Sequence, residues 1–376
     1  MRRRSFLLAP LAPLLFRKAA AATPPNVVLI LAQGWRGQAV PWAGDPDVFA
    51  PNLARLGRES LTFSRAYSGD PRLIPARRIL LNGRFFHEAV LDEIALNNQS
   101  VGARLKAAGY RAAVFGDRAA DDIVSFVHAP SSQPFYAEWT WQTATGFIER
   151  VDATTLHIRP NVPASQEGAA RGALADFYAR CRARDQEIGI VLAALDRPEL
   201  RDNTLVVFTS DRGEQIGSHG LTSDDSFYEE SVRIPLAMRH PRLERGGQRD
   251  MLVSQADIAP TILGLCGIPV PEQMQGRDLS ALIVEGKGEQ PDAVFAEGRL
   301  SEPEEWRMLV HGYDKLVTDA SGNPTHLFNL QRDPYEMTNL VSVSAEKLNR
   351  DVMVAMLQLW RRKLADGRDP SGLRKR

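Results

Sequence analysis

The chain has 376 residues, 44% hydrophobic and 24% charged, the balance of a soluble globular protein. Lys plus Arg and Asp plus Glu each total 46, a formal net charge of zero, so no bulk field draws it to nucleic acid or to an acidic membrane surface. The length suits one large α/β domain with a smaller appendage.

The N-terminus reads as an export signal. Arg2-Arg3-Arg4-Ser5-Phe6-Leu7-Leu8 has the twin-arginine pattern, and an apolar stretch runs from Phe6 to Phe16. That stretch is too short to span a membrane and is broken by Pro10 and Pro13. Ala19 to Ala22 supply the small residues of a cleavage site, so residues 1–22 are expected to be a signal peptide for the periplasm or the exterior. The alternative is a basic start with no addressing role.

Asn26 to Ala32 is a continuous apolar run, as expected of a parallel strand buried on both faces. Arg111 to Gly116 and Thr204 to Thr209 read the same way. Helical patterns lie between them. Asn52 to Glu59 is one, and Ser100 to Ala108 is another, with Ser100 as N-cap and Gly109 as stop. Residues 168–196 read as a long helix, and Asp257 to Leu265 as another, ended by Gly267 and Pro269. Strands alternating with helices predict a doubly wound, mainly parallel α/β sheet over residues 23–284. Ligands in such sheets gather beyond the carboxyl ends of the strands, which singles out Gln33-Gly34, Asp117 onward and Asp211-Arg212.

The texture changes after Gly276. Glu285 to Pro291 reads as a linker, and residues 285–376 as a small C-terminal α+β subdomain. Arg307 to Val310, Lys315 to Thr318 and His326 to Asn329 suggest a small antiparallel sheet. Leu348, Val352, Met356 and Trp360 form one apolar helical stripe, expected to dock on that sheet. No internal repeats are present. Two cysteines, Cys181 and Cys266, cannot make a disulfide framework, and nothing in their context favours a bridge between them.

The segment Leu73-Ile74-Pro75-Ala76-Arg77, followed by Leu80-Leu81-Asn82-Gly83-Arg84, resembles the signature of the sulfatase family. Further segments resemble that family in one collinear order: Asn26 to Ala32, Ala50 to Leu56, Asp202 to Asp211, His219-Gly220-Leu221, Tyr228 to Leu236, Asp257 to Ile262, Gln275 to Leu279, and Leu327 to Leu340. The resemblance implies an alkaline phosphatase-like α/β fold. It also implies an active site in which a Cys or Ser, oxidised to formylglycine, is the nucleophile beside a bound calcium.

The chemistry departs from that expectation. The nucleophile position is Leu73, which has no thiol or hydroxyl to oxidise. The family's metal-ligand positions fall on Gln33, Gly34, Asp211 and Arg212, and only Asp211 keeps an anionic ligand; an arginine has no lone pair to donate. The lysine and histidine that handle sulfate fall on Asp117 and Ala119, a second lysine on Asp224, and a second histidine on Thr145 in an ungapped reading. Arg77 alone survives among the anion-gripping positions, and Arg77 or Arg212 is expected to pair with Asp211 in place of the ion. Structural readings stand beside these: Arg77 holding its loop, Asp211 capping a turn, His219 packing.

The expectation is therefore an exported sulfatase-family protein with a degenerate site, no metal cofactor and no sulfatase turnover. It would act by binding a glycan or sulfated ligand, or by pairing with an active relative. The competing reading is a sulfuric or phosphoric ester hydrolase with a rearranged site, for which Ser68 and Asp70 are the nearest candidate nucleophiles.

Overall fold

The computed structural model describes residues 24–85, 99–117, 119–141, 149–300 and 302–364. Seven strands form the central sheet: β1 (Asn26–Ala32), β2 (Leu61–Tyr67), β3 (Arg111–Phe115), β4 (Phe135–Thr140), β5 (Thr204–Ser210), β6 (Arg233–Arg239) and β7 (Gln248–Ser254). Their spatial order is β3-β4-β1-β5-β6-β2-β7. The β3-β4-β1-β5 half is parallel, β6 runs antiparallel to β5 and β2, and β7 pairs parallel with β2.

The continuous apolar run of β1 is explained by two covered faces. Val28, Ile30 and Ala32 join a core with Leu53 and Leu56 of helix α1 (Pro51–Glu59), Ile123 of α4 (Ala120–His128) and Ile188 and Val191 of α5 (Glu167–Ala194). Val27, Leu29 and Leu31 point the other way, into a core with Leu105 of α3 (Val101–Ala107), Ile262 of α6 (Ile258–Leu265) and Ile283 of α7 (Ser280–Glu285). Alternation along one strand thus divides its side chains between two helical layers. Helix α2 (Leu73–Asn82) starts beyond the carboxyl end of β2 and supplies residues to the site described below.

Local signals act where the sequence places them. Ser100 caps α3, its Oγ accepting from Ala103 N at 3.2 Å, and Gly109 ends it with φ +95°. Helix α1 has no capping side chain of its own at Ala50. Buried Asp185 of α5 caps it from a distance, accepting from Leu53 N at 2.7 Å and Asn52 N at 3.1 Å.

The C-terminal sheet is antiparallel as expected, with a fourth strand the sequence reading missed: β8 (Ala293–Gly298), β9 (Trp306–His311), β10 (Asp314–Asp319) and β11 (Pro324–Asn329). Helix α8 (Lys347–Lys363) packs on it, but not through the whole predicted stripe. Leu348 is 77% exposed and Val352 49%, whereas Met353, Leu357 and Leu364 are buried against Leu309, Leu316 and Leu327. The helix carries two neighbouring apolar rows. Trp360, stacked on Phe295 at 6.0 Å and edge-on to Phe85 at 6.1 Å, turns it so that the first turn of the predicted stripe faces outward. Ile79 of α2 and Ala256 lie in the same core, so the C-terminal sheet packs directly behind α2. Cys181 and Cys266 are both buried and free. Among the described residues, no helix is long and apolar enough to cross a membrane.

Candidate functional site

β1 and β5 are parallel neighbours with Ala32 in register with Ser210, so the residues that follow each strand emerge side by side. This is the position, beyond the carboxyl ends of the strands, where open α/β sheets place ligands. Gln33 and Gly34 leave β1, and Asp211 and Arg212 leave β5. Gly34 has φ +69°, and a Cβ there would stand 2.5 Å from Glu214 Oε1; the turn and the close approach of Glu214 both require glycine.

Asp211 is completely buried and its carboxylate is taken up by the chain's own donors. Oδ1 accepts from Gly34 N at 3.1 Å and from Arg212 N at 2.8 Å. Oδ2 lies 3.3 Å from Nε of Arg77, one turn into α2, whose Nη2 donates to the Trp141 carbonyl at 2.7 Å. Burial raises the Asp211 pKa above the ordinary carboxylate range, and the charges of Arg212 and Arg77 pull it back. The expected arginine–carboxylate pair therefore forms through Arg77, by one nitrogen and not as a bidentate fork. The Arg212 guanidinium turns elsewhere.

It turns to Asp224, with Nη2 3.3 Å from Oδ2, while Asp224 Oδ1 accepts from Gln215 N at 2.9 Å. Two positions singled out separately in the sequence thus meet each other. Asp117 likewise pairs with Arg184 of α5 at 2.9 Å, and that guanidinium lies 4.8 Å from the Trp141 ring and 3.1 Å from Glu187. Arg180 pairs with Glu214 at 2.6 Å. Ala119 is buried at the start of α4. Thr145 lies outside the described residues.

Leu73 is the first residue of α2 and half-buried, presenting an alkyl side chain at the helix start beside the 61% exposed Ile74. The two alternative nucleophiles are both engaged. Ser68 is fully buried, with Oγ 2.7 Å from the Asp211 carbonyl, 2.9 Å from the Asp70 carbonyl and 3.2 Å from Gln255 Oε1. Asp70 is gripped by Arg72 at 2.8 and 3.1 Å, and burial pushes its pKa up to about 6.

The residues at the strand ends do not fit a hard divalent cation. Such an ion takes six to eight oxygens, several of them anionic. Among the four ligand positions only Asp211 carries a carboxylate, with both oxygens occupied and the side chains of Arg77 and Arg212 near it, while the neighbouring Glu214 and Asp224 are engaged by Arg180 and Arg212. Gln33 Oε1, buried with no hydrogen-bond partner among the described residues, is a single neutral oxygen.

A second polar centre was missed by the sequence reading. The fully buried Lys315 ammonium of β10 lies 2.7 Å from Glu336 and 3.1 Å from Glu229. Glu229 N donates to Glu336 Oε2 at 2.7 Å, and Glu230 is held by Arg159 at 3.3 Å and by Asn161 at 2.9 Å. His219 stacks on Tyr228 with ring centroids 3.6 Å apart, and its Nε2 is 3.0 Å from Asn161 Nδ2. Ligand atoms of His219, Glu230 and Glu336 lie within 4.8 Å of one another, but Lys315 and Arg159 already balance the carboxylates, so the cluster reads as a structural lock. Burial and the neighbouring Glu229 and Glu230 push Glu336 up to about 8, against the pull of Lys315.

A mainly parallel sheet with helices on both faces, a polar cluster beyond β1 and β5 flanked by the start of α2, and a four-stranded sheet behind it define the alkaline phosphatase-like class of hydrolase folds. Comparison narrows the class. The Sulfatase family profile matches residues 25–121 and 118–268, and that of the N-sulphoglucosamine sulphohydrolase C-terminal region matches residues 217–363. The chain belongs to the sulfatase family. It is 27% identical over 401 aligned residues to an ulvan-active sulfatase of Formosa agariphila, covering 85% of this chain and 77% of that protein. It spans less than half the length of the arylsulfatase K relatives it also matches. Among solved structures, the yidJ protein of Bacteroides fragilis superposes with a TM-score of 0.81 at 24% identity, covering 93% of this chain and 98% of that one. BT4656, solved in complex with its substrate D-glucosamine-2-N,6-O-disulfate, superposes with a TM-score of 0.78 at 19% identity, covering 93% and 99%. At those identities the superpositions speak for the fold.

Proposed function

We propose that this chain is an exported member of the sulfatase family that does not hydrolyse sulfate esters and acts by binding in the family's cleft. The observation that carries the reading is Leu73. A hydrocarbon side chain at the start of α2 offers no electron pair to attack sulfur or phosphorus. The surroundings support it, because Asp211 is saturated by internal donors and Asp117 and Asp224 are tied into ion pairs. Ser68 and Asp70, the substitutes a rearranged hydrolase would need, are buried and engaged. The ligand class is a glycan, supported by the ulvan-active relative and by the glucosamine disulfate bound in BT4656.

Purified protein is expected to give no release of chromophore from aryl sulfates or aryl phosphates. Leu73→Cys, produced together with a formylglycine-generating enzyme, is expected to stay inactive, since the metal and anion positions are also changed. Turnover that appears with Leu73→Cys would show that the rest of the pocket remains competent.

Export rests on the order of charge, apolar stretch and small residues in 1–22. Replacing Arg3 and Arg4 by lysine is expected to hold the precursor in the cytoplasm, because the twin-arginine receptor reads the arginine pair as an address. Normal appearance of processed protein outside the cytoplasm after both substitutions would discard that route.

A further inference from the structure

Beyond β5 the chain folds back so that Arg212, the Gln215 N–H and Asp224 converge. The Asp224 carboxylate is held by a guanidinium on one oxygen and a backbone N–H on the other, the two kinds of donor that grip sulfate or phosphate. The grip is incomplete on the arginine side. The contact is single and 3.3 Å long, and Arg212 Nε is buried with no acceptor among the described residues. A guanidinium with a spare donor can take a second oxygen in its fork, which Asp224, tethered through Gln215, does not supply. Both side chains keep access to solvent, at 16% and 24% exposure, so the place is reachable as well as largely desolvated.

We propose that Arg212 and the Gln215 N–H form a binding site for a tetrahedral oxyanion, and that the chain's own Asp224 occupies it. The carboxylate is an internal stand-in for the anion: it neutralises the arginine and closes the site to external sulfate or phosphate. Arg180 and Arg77 add positive charge around the loop, whereas Glu214 and Asp211 oppose it. Removing the Asp224 charge therefore shifts the balance toward an entering anion and leaves two N–H groups of Arg212 and one of Gln215 to receive it. Glu214 gains as well, because Asp224 is one of the groups that raise its pKa. The inference goes beyond the binding role proposed above, since it closes one part of the cleft to a free oxyanion, and its readout does not depend on whether the chain turns over sulfate esters.

The test uses the whole chain and two probes, inorganic sulfate and inorganic phosphate, titrated against sodium chloride of equal ionic strength to remove general screening. Binding is read by calorimetry and by the shift in melting temperature. Asp224→Asn removes the charge that competes for Arg212 and leaves only a neutral amide, which an entering oxyanion displaces from the Gln215 N–H. It is expected to bind at least one oxyanion at least about tenfold more tightly than the unmodified chain, as a freed guanidinium would. The gain is expected to vanish in Asp224→Asn combined with Arg212→Gln. Stronger response to sulfate than to phosphate would assign the site to sulfate, and the reverse to phosphate; either supports an oxyanion site. If Asp224→Asn does not fold, Asp224→Ser removes the same charge and is read in the same way. An unmodified chain that binds as tightly as the variant, a variant that gains nothing, or a gain that survives loss of Arg212 would each overturn the proposal.

Discussion

Lys315→Met is expected to cost the chain roughly 3–5 kcal/mol of folding stability, the scale for removing one partner of a buried ion pair. Its ammonium has no exposure to solvent and touches two carboxylates, Glu336 at 2.7 Å and Glu229 at 3.1 Å. These two outweigh burial and hold the Lys315 pKa above its ordinary value. Methionine fills similar volume but leaves Glu229 and Glu336 without their ammonium partner, since Arg159 and Arg36 serve Glu230. Denaturant unfolding at neutral pH reads the loss, and a change below about 1 kcal/mol would mean that the cluster is not a buried charge couple.

The same cluster fixes a pH dependence whose sign follows from Glu336. Its folded pKa of about 8 stands above its ordinary 4.5, so between those values the folded state keeps a proton that the unfolded state releases. Stability from this group is whole at pH 4.5 and is lost as pH rises toward 8, with a slope of at most about 1.4 kcal/mol per pH unit. Asp70, raised to about 6, acts in the same direction at the acid end, and His240, lowered to about 4, acts against it. The difference between Glu336→Gln and the unmodified chain removes both. Unfolding profiles are expected to converge near pH 5 and separate toward pH 8, with the glutamine variant the flatter one. Parallel profiles would assign the titration elsewhere. In Lys315→Met the pull of Lys315 on Glu336 is lost, so Glu336 keeps its proton to higher pH and the fall in stability on raising the pH is expected to continue beyond pH 8.

What the sequence revealed and what it hid follow from the same physics. β1 and β5 were legible because strands covered on both faces need apolar residues at every position, a pattern that no exposed segment imitates. β6 was hidden by Pro235, since proline argues against an internal strand. The structure shows how it is tolerated: β2 pairs with Leu236 through Phe63 and with Ile234 through Ala66, so the register shift in β2 falls across Pro235, where the ladder is already interrupted. β2 itself was masked by Ser64 and Arg65 within that bulge. In the site, the sequence offered Arg77 or Arg212 as the partner of Asp211 and did not choose between them; the structure pairs Arg77. Motif spacing gave no hint that Arg212 and Asp224 would satisfy each other, because pairing across a loop depends on how the loop folds back. The Lys315 lock was less legible still. Its members are 86 and 107 residues apart, and a lysine in a short strand reads as solvent-facing until tertiary packing buries it.

Asp211→Ala is expected to destabilise the protein by about 3–5 kcal/mol, and by the same amount in calcium, in magnesium or in excess chelator. In a protein whose strand ends hold a cation, the aspartate offsets the ion, and its removal matters most when the ion is present. Here the partners of Asp211 are all internal: Gly34 N, Arg212 N and Arg77 Nε. Alanine strips an acceptor from each of them at once. The two backbone donors become unsatisfied in a buried place, and the Arg77 guanidinium, only 17% exposed, keeps the Trp141 carbonyl and loses its counter-charge. Asp211→Asn is the informative companion. It retains an oxygen for Gly34 and Arg212 but loses the charge facing Arg77, so the difference between the two variants separates hydrogen bonding from ion pairing. The unmodified chain is expected to melt at one temperature across the cation series. Linkage makes that a quantitative statement, because a cation present at about a hundred times its dissociation constant would add about 2.7 kcal/mol to the folded state. A rise in melting temperature with calcium or magnesium that disappears in Asp211→Ala would establish a working metal site, and would overturn both the internal guanidinium pair as its replacement and the non-hydrolytic reading built on it.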